Sequence, residues 1–185
     1  MKRFVKIMKR LLVTVSMLLC MNSVTLAGDW NVNFMGISYE QVKQRDWKAI
    51  VAGAVSSIIV HEASHLLFAE ANGGGYTYIN HSGMVTKMQD YYNRSHSTQQ
   101  MFHRSGFLGQ LLVGGVLTAI PSTRHADFTV GFNGASMVHI GQYTLINNDG
   151  KYSDVGHLDN GEFEGGLYTV GAGVLTVINL QDLEE

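Results

Sequence analysis

The sequence predicts a mainly α-helical, polytopic membrane bundle of about four transmembrane helices, with a short β-hairpin after the first helix of the bundle. Three observations predict it. Apolar stretches recur near residues 49–70, 105–121, 128–146 and 166–180. A passage rich in Tyr, Thr, Ile and Val follows the first of them, and a cationic N-terminus leads into a further apolar run. Composition alone leaves the solvent open, because a mean hydropathy of +0.04 is low for a polytopic membrane protein and high for a soluble one.

At the N-terminus, Lys2, Arg3, Lys6, Lys9 and Arg10 precede LLVTVSMLLCMNSVTLA. Residues 1–27 therefore read as a secretory signal peptide cleaved after Ala27, or as an uncleaved anchor of about minimal spanning length. In both cases residue 28 onward starts on the far side of the membrane, and residues 28–185 make one membrane-embedded core. A net charge of -2 offers no basic stripe, so no nucleic-acid partner is expected. The single cysteine, Cys20, excludes a disulfide framework and a cysteine cluster, so any metal must be held by His, Asp or Glu.

Residues 28–48 are mixed and polar and end in QRDWK, where Trp47 resembles an interfacial anchor. AIVAGAVSSIIVHEASHLLFAE then offers about 20 residues without Lys, Arg, Pro or Asp, enough for one spanning helix. NGGG at 72–75 stops it, since Gly tolerates a left-handed C-cap. YTYINHSGMVT reads as the hairpin, and residues 86–104 are polar and expected in water. SGFLGQLLVGGVLTAIP is the second helix, its glycines allowing another helix close. FTVGFNGASMVHIGQYTLI is the third, and the apolar part of the fourth runs from Gly166 to Leu180.

The first segment contains His61-Glu62-Ala63-Ser64-His65, the H-E-x-x-H pattern. Buried ionisable groups cost several kcal/mol unless partnered. On a helix, residues four apart lie about 40° apart, so both imidazoles face one point and one divalent cation partners both. Glu62, on the flank of that face, can reach a water there without being a ligand.

A catalytic zinc site wants a third protein ligand. Glu70 lies about 180° around the helix from His61 and faces away. An even number of crossings separates the histidines from the loop at 147–161, which returns Asp159 to their side and depth. His157, Glu162 and Glu164 are alternatives, and LDNG also reads as a plain turn before the last helix.

HEASH followed about a hundred residues later by LDNG resembles the site-2 protease family of intramembrane zinc metalloproteases. NGGGYTYINHSGMV is similar to that family's membrane-associated hairpin. SGFLGQLLVGG loosely echoes its next helix, with Phe107 for Pro and Gln110 for Asn. LDNG departs from the family by Asn160 in place of Gly and by the lack of a preceding Pro.

The resemblance implies one Zn2+ per chain on His61, His65 and Asp159, with Glu62 as general base in peptide-bond hydrolysis. It also implies a peptide or transmembrane protein substrate held as an added strand near Tyr76, Tyr78, Ile79, Gly83 and Asn160. The protein would then be an integral membrane protein, of the bacterial inner-membrane type, with its site towards the cytoplasm. Two other readings use the same residues: a secreted soluble zincin, and a non-enzymatic membrane protein with a structural metal or ion path.

Overall fold

The computed structural model describes residues 43–80, 83–146 and 153–181. The signal or anchor segment at 1–27 lies outside them. Helix α1, Trp47–Ala71, opens where the Asp46 carboxylate accepts the Lys48 N–H at 2.9 Å, satisfying one of the donors a helix start leaves open. It closes at Asn72 because Gly73 and Gly74 take φ of +107° and +111°, a region costly for residues with a Cβ. The NGGG stop is thus where the sequence places it.

Strands β1, Gly75–Asn80, and β2, Gly83–Met88, pair antiparallel with Gly75 opposite Met88 and Asn80 opposite Gly83. The expected hairpin is present, and its connecting residues 81 and 82 lie outside the described residues. A short 3-10 turn, Tyr91–Asn93, leads to α2, His96–Ala119. This helix begins nine residues ahead of its apolar segment, so residues 96–104 are not the solvated stretch expected of them. Gln100 and His103 are buried there because their polar atoms bind the loop before the last helix, and Phe102 because it packs against Ala69 and Met88. A single turn, α3 (Pro121–Arg124), joins α2 to α4, Asp127–Leu145. A second 3-10 turn, Val155–His157, precedes α5, Gly161–Leu180.

Side-chain pairings fix the helix directions. Along α1 and α4, Gly53 meets Phe128 and Phe132, Ser57 meets Ser136 and His61 meets His139, so the two run parallel. Along α1 and α2, Ser57 meets Gln110 while His65 meets Phe102, so these run antiparallel. Gly141 faces Thr169 and Gly165 faces Thr144, setting α5 antiparallel to α4. The four long helices therefore alternate in direction. Close approach of α1 and α4 depends on Gly53 and Gly131, where an added Cβ would strike the Phe128 and Ile50 carbonyl oxygens respectively.

The buried residues of α1 are Gly53, Ser57, His61, His65 and Ala69, one every four residues. Its large apolar side chains point outward: Ile58 and Ile59 are 45% and 49% exposed, and Leu67 72%. Among the described residues fourteen polar side chains are buried against ten hydrophobic ones, the reverse of a water-soluble core. The principal apolar cluster, Phe107, Ile140, Val155 and Ala172, lies between α2, α4 and α5. Further along, Thr118, Asn133 and Asn179 form a buried knot, with the Asn133 amide donating to Asn179 Oδ1 at 2.6 Å and the Asn179 amide to Thr118 Oγ1 at 3.0 Å. Among the described residues two helices, α1 and α5, are long and apolar enough to cross a membrane. Against the expectation of about four spanning helices, the described residues contain four long helices but only these two long and apolar enough to span, since α2 and α4 carry polar residues turned inward that lower their hydropathy.

Candidate metal centre

His61 and His65 stand one turn apart on the buried stripe of α1, which brings their Nε2 atoms within 3.1 Å of each other. The Nδ1 atoms point away and are spoken for. His61 Nδ1–H donates to Gln110 Oε1 at 3.1 Å, and the Gln110 amide nitrogen donates in turn to the Ser57 hydroxyl at 2.8 Å. His65 Nδ1–H donates to the Phe102 carbonyl at 2.7 Å. A carbonyl oxygen can only accept, so both rings are held in the tautomer that leaves an Nε2 lone pair facing the centre. Outer partners of this kind orient metal-binding histidines.

The third group is Asp154. Its Oδ2 lies 3.1 Å from His61 Nε2 and 3.2 Å from His65 Nε2, and the three residues together could hold a metal ion. Ligands at about 2.0 Å around a tetrahedral ion are separated by about 3.3 Å, so this triangle is close to the required size. Burial opposes the charge of Asp154, but the contacts with His65, His103 and His61 outweigh it and hold the carboxyl well below its usual range. The donor set is therefore two imidazole nitrogens and one carboxylate, which suits zinc.

Asp159, the third ligand expected from LDNG, is elsewhere. Its side chain is exposed and its Oδ2 meets His96 Nε2 at 2.8 Å, while its N–H donates to Gln100 Oε1. The carboxylate that the structure brings to the histidine pair is instead Asp154, five residues earlier. The physical reason is the turn at Val155–His157, which carries the chain away from the histidines before Asp159 is reached. The alternatives do not reach the pair either. His157 Nδ1–H donates to the Ser153 carbonyl, Glu164 takes two bonds from Arg104 at 2.6 and 2.8 Å, and Glu162 lines a surface cavity of about 330 Å³ together with Asn160 and Asp159.

Glu62 sits beside the centre with its Oε2 buried and without a hydrogen-bond partner. A carboxyl oxygen in that state lacks a donor that water would supply. Its backbone carbonyl accepts from the Thr86 hydroxyl at 3.2 Å, tying β2 to the histidine helix. Of the residues expected to bind substrate, Tyr76 and Ile79 are exposed on β1, at 51% and 81%. Tyr78 is half-buried beneath Lys87, and Gly83 opens β2 opposite Asn80. Asn160 belongs to the cavity wall after Asp154, apart from these strand positions in sequence.

Two residues of the centre carry no sequence signal of their own. His103 Nδ1–H donates to Asp154 Oδ1 at 2.7 Å, and Tyr91 OH donates to His103 Nε2 at 2.7 Å. Burial first, and then Tyr92 and Asp154, push the Tyr91 phenol above its usual value, keeping it a donor.

Gly106 makes the room for the histidines, since a Cβ there would stand 2.5 Å from both His61 Cε1 and His65 Nε2. If the group holds a divalent metal, Gly106→Val is expected to lower its affinity at least about tenfold. Gly115→Ala, where a Cβ meets nothing within 4 Å, should leave it unchanged. Equilibrium competition against a chromogenic chelator reads both.

Comparison with protein-family models, with curated proteins and with solved structures finds no match.

Proposed function

We propose that this chain is a zinc-dependent endopeptidase that works within or at a membrane on peptide or transmembrane protein substrates. One observation carries the reading: two Nε2 lone pairs and a carboxylate oxygen converge within 3.2 Å with every outward histidine nitrogen already donating. With both Nδ1 atoms donating outward, all three atoms offer lone pairs to one point, and a cation shared among them relieves their mutual repulsion.

His61, His65 and Asp154 would hold the ion, which when bound supplies Lewis-acid polarisation of a substrate carbonyl and acidifies water. Glu62 then has a defined task. Its unpartnered Oε2 accepts a proton from the attacking water and returns it to the leaving amine. The exposed strand β1, with Tyr76 and Ile79, offers a surface for an extended peptide, because a two-stranded sheet leaves backbone donors and acceptors on each outer edge.

Placement in a membrane is supported by the reversal of burial described for α1 and by the length and hydropathy of α1 and α5. Polar groups face inward where they find partners, and apolar ones face outward where lipid accepts them at no cost. Alkaline carbonate treatment of membranes should leave the protein in the pellet, and detergent-purified protein should cleave a transmembrane peptide in a chelator-sensitive manner. Release into the supernatant with cleavage intact would favour the secreted zincin reading. Stoichiometric zinc without any cleavage would favour a structural metal.

A further inference from the structure

We infer that His103 is the positioning residue of the metal centre, fixing the rotation of the Asp154 carboxylate so that Oδ2 faces the histidine pair. The inference rests on the metal-centre reading above and adds to it a residue that the H-E-x-x-H pattern does not contain. A carboxylate on a short side chain rotates about its last bond, and a ligand on a loop has no helix to set that angle. Here Oδ1 is taken by His103 Nδ1–H at 2.7 Å while Oδ2 is left to the imidazoles of α1.

His103 is itself immobilised from several sides. Its Nε2 accepts from Tyr91 at 2.7 Å, its ring stacks on His157 at 4.4 Å with planes 10° apart, and Phe102 meets it edge-on at 5.3 Å. The ring therefore donates from Nδ1 in one tautomer and one orientation.

Its neighbours on the same face of α2 have a different task. Gln100 binds the His157 carbonyl and the Asp159 N–H, and Arg104 clamps Glu164. Those two side chains hold the end of the loop that leads into α5, whereas His103 touches the carboxylate of Asp154. Positioning of the ligand and anchoring of the loop are thus divided between positions 103 and 100/104, and substitutions can separate them.

The test is zinc affinity of detergent-purified full chain, measured by chelator competition, for the wild type, His103→Asn, His103→Gln and Gln100→Ala. Asn places an amide nitrogen where Nδ1 stood, and Gln places it where Nε2 stood. His103→Asn is expected within about threefold of wild type, and His103→Gln is expected to lose 10–100-fold, the range for removed outer partners of metal ligands. Gln100→Ala should retain affinity within about threefold. Equal losses in the Asn and Gln variants, or no loss in either, would overturn the inference, because a purely structural role does not distinguish the two amides in that order. Loss in Gln100→Ala as large as in His103→Gln would also overturn it, by showing that anchoring the loop is sufficient. Absence of stoichiometric zinc in the wild type would instead reject the metal centre itself.

Discussion

Glu62→Gln is expected to reduce cleavage of a transmembrane peptide by roughly 10²–10⁴-fold, the usual contribution of a positioned general base, with zinc content unchanged. The two halves of that expectation come from different facts. Loss of rate follows because an amide cannot take a proton from water at neutral pH, and Glu62 Oε2 is a buried carboxyl oxygen without a hydrogen-bond partner. Retention of zinc follows because His61, His65 and Asp154 supply the donor set without Glu62. Gln is nearly isosteric, and the Thr86 bond uses the backbone carbonyl of residue 62 rather than its side chain, so the hairpin should stay docked. Metal analysis and fluorogenic cleavage on the same preparation check both halves. A variant that keeps wild-type rates would remove Glu62 from the chemistry.

Asp154→Ala should lose bound zinc during purification, whereas Asp159→Ala should retain one zinc per chain. Removing Asp154 takes away one of the three proposed ligands and its negative charge, and it leaves His103 Nδ1–H without an acceptor in a buried site. Removing Asp159 costs a pairing with an exposed histidine, a contact of little energetic weight. Atomic absorption on the two purified variants decides between them. The reverse result would restore the assignment read from LDNG and would require the loop to refold around the ion.

What the sequence made legible was local. HEASH at a four-residue spacing puts two imidazoles on one face whatever surrounds the helix, and NGGG ends that helix because the required backbone angles favour glycine. The hairpin followed from a short run of β-forming residues. The third ligand was not legible, because Asp154, His157, Asp159, Glu162 and Glu164 lie within eleven residues and only the turn between 155 and 157 decides which one meets α1. The start of α2 was hidden for a related reason. Gln100, His103 and Arg104 look like a solvated stretch, yet each is polar in order to bind a partner 51 to 60 residues away. Hydropathy averages over a helix without knowing which side chains turn inward, so the buried polar residues of α2 and α4 count against them although they face partners inside the bundle.

The amide knot of Thr118, Asn133 and Asn179 has a bearing on how such a bundle finds one arrangement. Oily side chains gain nothing by exchanging hydrocarbon neighbours for one another, so in a lipid phase they set no azimuth for a helix. Turning α5 by a single residue would swing Asn179 out by about 100° and leave its carboxamide and its partners stranded. The knot thereby acts as a rotational key at the end of the molecule away from the imidazoles, indexing the fourth helix so that the chain entering it delivers residue 154 to its place.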